Sequence, residues 1–144
     1  MIYLDTSVIV KLYFREDRSR EVAAWVEANN EAIPLTRFHE LEMVNAVQLK
    51  FFRGEIDTGE IELVLGRLGD HETRGVYYRP QIEWTEVLEN ALDLTSKFTG
   101  STGARSLDII HVAAALCMGA KRFLSMDQRQ KQLAENAGLT IESI

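Results

Sequence analysis

Two short apolar runs, "IYL" at residues 2–4 and "RFLSM" at residues 122–126, each stop at an aspartate, Asp5 and Asp127, and long stretches of helical periodicity lie between them. Runs this short fit buried strands better than helices. Strands that alternate with helices need crossover connections, and a mainly parallel sheet flanked by helices accommodates them. An α/β sandwich is therefore the expected fold, and in such sheets ligands bind beyond the carboxyl ends of the strands. Both aspartates stand at that end.

The segments between the runs carry their own boundaries. A helical stretch begins at Thr6, bends near "REDRSR" and resumes through "EVAAWVEAN", and "AIPL" fits a second strand. Thr36 is placed to cap "RFHELEMVNAVQLKFFR", which Gly54 ends, and Asp57 with Glu60 three residues on reads as a capping box before "IELVLGRL". "GVYYR" is rich in strand formers, and the apolar residues from Trp84 to Phe98 recur at helical spacing. The loop "TGSTGAR" should lead to Ser106 as the cap of "LDIIHVAAALCM", a helix apolar nearly all round that Gly119 closes. The tail reads as strand "RFLSM", helix "QRQKQLAENA", Gly138 and strand "TIES".

At 144 residues and 46% hydrophobic, the chain can bury a substantial core, and residues 1–144 are expected to form a single domain. Lys and Arg number 16 against 22 Asp and Glu, a formal charge of -6, so no global basic footprint advertises nucleic acid. That objection weakens if four carboxylates serve bound cations, because 18 acidic residues then face 16 basic ones. Cys117, the single cysteine, excludes an intrachain disulfide and reads as an inert buried thiol. With no apolar stretch near the roughly 20 residues of a membrane span and no signal-like N-terminus, a cytoplasmic protein without membrane attachment is expected.

The acidic residues have structural and chemical readings side by side. Asp5 and Asp127 could each simply cap a helix, and Gln130 completes a capping box for Asp127. Glu42 shares a helical stripe with Phe38, Asn45, Ala46, Leu49 and Phe52, a largely apolar face on which an ionised carboxylate must be paired, protonated or metal-bound. Asp108 falls in a first helical turn, where the helix dipole alone favours it, and His111 one turn on is either a satisfied core histidine or a donor that orients Asp108. Oxygen donors without Cys or His spacing select Mg²⁺ or Mn²⁺ over zinc, and such an ion can activate water against a phosphodiester.

Taken together and in order, "IYLDTS", "HELEMVNA", "RSLDIIHVAAAL" and "FLSMDQRQKQLAENAGL" resemble the PIN-domain nucleases, and especially the VapC toxins of toxin–antitoxin pairs. The resemblance spans nearly the whole chain and implies a PIN-like three-layer sandwich. It further implies a Mg²⁺- or Mn²⁺-dependent endoribonuclease whose acidic catalytic and metal-binding set corresponds to Asp5, Glu42, Asp108 and Asp127. Thr6 and Ser125 fall where the family often has hydroxyls, and Asn45 where it often has an asparagine. An RNA substrate, a homodimer and a cognate antitoxin are implied as well. Lys11, Arg15 and Arg105 are candidates for positioning phosphates, with solvated surface charge as the plain alternative. Two other functions remain open: a Mg²⁺-dependent phosphatase or phosphoacceptor with Asp5 as nucleophile, and a noncatalytic binding module. The phosphatase version wants a second aspartate two residues on, where Ser7 stands.

Overall fold

The run before Asp5 is a fully buried strand, β1 (Ile2–Leu4), in a computed structural model that describes residues 1–144. Along the chain follow α1 (Thr6–Val10), α2 (Ser19–Ala28), β2 (Ile33–Pro34), α3 (Arg37–Phe52), α4 (Thr58–Thr73) and β3 (Tyr77–Tyr78). Then come α5 (Trp84–Leu94), a π-helical turn at Thr95–Thr99, α6 (Gly100–Thr102), α7 (Ser106–Cys117), β4 (Arg122–Leu124), α8 (Gln128–Asn136) and β5 (Thr140–Ile141). These elements gather into two compact units, residues 1–5 with 81–144, and residues 6–80.

In the first unit, β1, β4 and β5 form a parallel sheet in the order β1-β4-β5. Register Tyr3↔Phe123 puts two aromatic side chains next to each other on neighbouring strands, and their rings stack 5.7 Å apart. Phe123 is wholly buried, a contribution of roughly 1.5–3 kcal/mol. Ala113, Ala114 and Ala115 of α7 are buried with Val87 and Ala91 of α5, and these small side chains let the two helices approach closely. Cys117 is half-buried, accepts a hydrogen bond from Asn90 Nδ2 and has its thiol pKa pushed up by burial.

The second unit pairs β2 with β3 in parallel. Pro34 fits this strand because Ile33 N–H donates to Val76 and Leu35 N–H to Tyr78, so the missing proline donor falls between two ladder bonds. Both capping expectations hold here: the Thr36 hydroxyl accepts from His39 N–H, and Asp57 and Glu60 cap each other reciprocally. The bend near "REDRSR" includes Arg18, whose left-handed φ of 63° stands at the N-cap position of α2. Tyr13 links its hydroxyl to His71 Nδ1 at 2.8 Å and to the Tyr77 hydroxyl at 3.1 Å. Burial pushes Tyr77 up to about 12, raises Tyr13 and lowers His71, so the three stay neutral near pH 7.

The expected parallel pairing is found, in a three-stranded and a two-stranded sheet. Two local expectations are corrected. "TGSTGAR" is largely helical, because the Ser101 and Thr102 hydroxyls donate back to the Phe98 carbonyl and hold further turns until Gly103 stops them at φ 65°. Ser106 is already the first helical residue of α7, with extended Arg105 at the cap position, so its hydroxyl caps nothing. No helix is long and apolar enough to cross a membrane.

Candidate functional site

Asp5 follows β1 directly, and its N–H donates to the Leu124 carbonyl at 3.0 Å, which carries the β1–β4 ladder one residue further. Asp5 is 5% exposed, and its carboxylate accepts from Ser125 Oγ at 3.0 Å. Ser125 is completely buried, and the same Oγ accepts from Asp127 N–H at 3.0 Å. One hydroxyl therefore fixes the carboxylate at the end of β1 and the backbone just beyond β4.

Asp127 caps α8 as the sequence suggests, but with one oxygen only. Oδ1 accepts from Arg129 and Gln130 N–H at 2.8 and 2.9 Å, whereas Oδ2 lies 3.7 Å from an Arg105 guanidinium nitrogen. The cap and ligand readings are thus compatible in one side chain. Asp108, in the first turn of α7, accepts from Arg105 Nε at 3.1 Å through its own Oδ2. Arg105 bridges the pair from an exposed position, and the Asp108 carboxylate holds its pKa above the ordinary arginine value.

Gln130 is the residue the sequence reading missed. Its side chain does not complete the capping box on Asp127; Nε2 donates instead to the Asp108 carbonyl at 3.3 Å, tying α8 to α7. It is 1% exposed, and its Oε1 has no hydrogen-bond partner. The available signal was periodicity, since Gln130 shares a helical stripe with Leu133, Ala134 and Ala137 and so belongs to the buried face of α8. His111, 3% exposed, bonds the Tyr3 hydroxyl through Nδ1 at 2.9 Å with the rings edge to face. That is the satisfied core arrangement, and it seats α7 on β1.

In the second unit, Thr6 Oγ1 donates to Glu42 Oε2 at 2.5 Å, joining the first residue of α1 to α3. The environment of Glu42 differs from the expectation. The buried face of α3 is His39, Met43 and Val47; Glu42 is half-buried, and its supposed apolar stripe runs outward through exposed Asn45, Leu49 and Phe52. Apolar residues on more than one face of α3 made two stripes plausible, and packing chose the other one. At this half-buried position the Thr6 hydroxyl supplies Glu42 with a partner. Lys11 donates to the Asp17 carbonyl and lies 3.5 Å from Glu16, so its ammonium is already engaged, while Arg15 is exposed. A cavity of about 510 Å³ in this unit, between α2 and the turn after α4, contains none of the expected site residues.

Nowhere do three or more His, Cys, Asp or Glu side chains already close on one point at metal-holding distances. The donor chemistry nevertheless fits a hard divalent cation: Asp108 and Asp127 present carboxylate oxygens to one shared cationic group, here the Arg105 guanidinium. Asp5 is coupled to Asp127 through Ser125.

A PIN-domain family model matches residues 2–136. Among solved structures, FitAcB from Neisseria gonorrhoeae is similar with a TM-score of 0.71 at 18% identity, covering 99% of this chain and 97% of that one. VapBC2 from Rickettsia felis, bound to a DNA fragment from its promoter, is similar with a TM-score of 0.68 at 16% identity, covering 99% and 98%. No curated protein sequence matches this chain.

Proposed function

This chain belongs to the PIN-domain family, whose members are typically nucleases, and from that premise we propose that it is a Mg²⁺- or Mn²⁺-dependent endoribonuclease and the toxin of a VapC-type toxin–antitoxin pair. The observation that carries the reading is the linkage of Asp5, Asp108 and Asp127 by Ser125, Gln130 and Arg105 within one unit. Helix capping alone explains one oxygen of Asp127 and none of the other links. The family match through residues 2–136 also supports treating residues 1–144 as one domain.

In this proposal Asp5, Glu42, Asp108 and Asp127 hold the metal. When bound, the ion supplies a polarised water for attack on the phosphodiester and offsets charge in the transition state. Ser125 orients Asp5 and the backbone of Asp127, and Thr6 orients Glu42. Asn45 stands one turn along α3 from Glu42 and faces solvent, where it can meet substrate. His111 acts at a distance by holding α7, which carries Asp108. Arg105, released from its carboxylates, and Arg15 are suited to phosphates; Lys11 is less so because of Glu16 and Asp17.

The similar solved structures are toxin–antitoxin complexes, which supports an antitoxin partner for this chain. So does the surface: Leu41 and Phe52 on α3, Leu63 on α4, and Leu88 and Leu92 on α5 are large apolar side chains left exposed. They also offer faces for the homodimer.

The test is cleavage of total cellular RNA by purified, partner-free protein in Mg²⁺ or Mn²⁺ against EDTA, beside Asp108→Asn. Metal-dependent discrete fragments that disappear in the variant are expected. A folded protein that cuts nothing under any of these conditions would leave a noncatalytic module.

A further inference from the structure

The residues after α1 build a second basic feature. Backbone bonds from Lys11, Leu12, Tyr13 and Phe14 to the end of α1 turn the chain, and Ser19 closes the next segment by donating to the Phe14 carbonyl and accepting from Glu16 N–H. This folding brings Arg15 and Arg20 to the same cleft as Arg67 of α4, a concavity of about 230 Å³ also lined by Lys11. Four cationic side chains line it and no carboxylate does.

The cleft is cationic in a chain of net charge -6. Glu16, next to Arg15 in sequence, pairs with Lys11 and Lys50 at 3.5 and 3.3 Å rather than with an arginine of the cleft. Arg15, Arg20 and Arg67 are exposed and enter no ion pair, although Arg67 is close enough for its charge to act on Tyr13 and His71. Like charges at one cleft repel, and an anion in the cleft relieves that repulsion. Neighbouring phosphates of a flexible single strand match several guanidiniums at once, each able to grip oxygens with a fork of donors.

We propose that Arg15, Arg20 and Arg67 form a docking cleft for the phosphate backbone of single-stranded RNA, with a lining that does not include Glu42. It begins at the end of α1, about 7 Å of helix along from Thr6 at 1.5 Å per residue. An RNA whose scissile region reaches the metal that Glu42 would hold thereby gains a grip on its backbone further along. This rests on the nuclease reading, deepening it to how an acidic protein retains a polyanion.

The experiment measures binding of a labelled single-stranded RNA to wild type and Arg20→Gln/Arg67→Gln in EDTA, across a KCl series. Each lost phosphate contact lowers the salt slope by about 0.7, so the double variant should lose about 1.4. Between about 50 and 200 mM salt, its affinity should then fall roughly sevenfold less than that of wild type. Lys121→Gln/Lys131→Gln, carrying the same charge change in the other unit, should keep the wild-type slope. An unchanged slope in Arg20→Gln/Arg67→Gln, or an equal loss in the lysine control, overturns the cleft. Wild-type binding of millimolar inorganic phosphate through these arginines, with RNA affinity untouched by the substitutions, assigns a small-anion site and overturns it too. Metal-dependent cleavage, scored separately on wild type, distinguishes failure of the cleft from failure of the nuclease.

Discussion

Asp57 and Asp127 look alike in sequence: each precedes a helix, and each has a side chain three residues on that can complete a capping box. At α4 the box closes on itself. Asp57 Oδ1 accepts Glu60 N–H and Glu60 Oε2 accepts Asp57 N–H, both at 2.9 Å, and every partner is local. At α8 the box opens outward: the Asp127 N–H goes to Ser125, the Gln130 amide goes to Asp108, and Oδ2 faces Arg105. A cap serves its helix when its bonds return to the helix, and serves a site when they leave it.

The largest test of this contrast replaces each aspartate by asparagine, which caps a helix as well as aspartate does but lacks the charge. Asp127→Asn should keep its melting temperature within about 2 °C while RNA cleavage falls by more than about 100-fold, beyond the range seen for residues that merely orient a metal ligand. Asp57→Asn should change neither. Equal activity in the two variants would remove the distinction.

Ser125→Ala comes next. It takes one bond from Asp5 and one from the Asp127 backbone at a completely buried position, a loss of about 1–3 kcal/mol in chemical denaturation. Cleavage should drop about 10-fold at subsaturating Mn²⁺ and recover as the metal is raised, because the ligands remain but are less well held. A stability loss with an unaltered metal dependence would make Ser125 a packing residue only.

Arg105→Gln should act in the opposite direction on the metal. The guanidinium shares Asp108 and Asp127 with any incoming cation, so its removal should tighten Mn²⁺ roughly twofold to fivefold in a calorimetric titration, as befits an exposed ion pair. Arg129→Gln, with the same charge change and no ion pair to those carboxylates, separates direct competition from a general field effect. Weaker Mn²⁺ binding in Arg105→Gln would mean that the arginine arranges the ligands instead of competing for them.

What sequence conveyed and what it hid follow one physical line. Elements set by local rules were legible: β1 and β4 from short apolar runs, α3 from Thr36 and Gly54, α4 from the Asp57 box. The parallel pairing followed from the alternation of strands and helices. Choices made by tertiary packing were not. Alpha-helix α3 has apolar residues all round, and only packing decides that Met43 and Val47 go inward while Leu49 and Phe52 stay out. Glu42 takes the Thr6 hydroxyl as a partner, a contact between α1 and α3 that the periodicity of α3 does not encode. Gln130 was hidden because its local role as a capping residue was a sufficient explanation, and only the three-dimensional neighbour Asp108 shows where its amide goes.

The smallest expected effect closes the contrast from the other side. Asp57→Ala removes the acceptor for Glu60 N–H at an exposed helix start, so unfolding should cost about 1 kcal/mol less. Glu60→Ala should lose a similar or smaller amount, and the double variant should lose less than the sum, because the two bonds form one reciprocal box. Metal affinity and cleavage should stay at wild-type values throughout, since no bond of the box leaves α4. If Asp57→Ala lowered cleavage at full metal occupancy, the closed box would be coupled to the site by some route other than its hydrogen bonds, and bond direction would cease to separate caps from ligands in this fold.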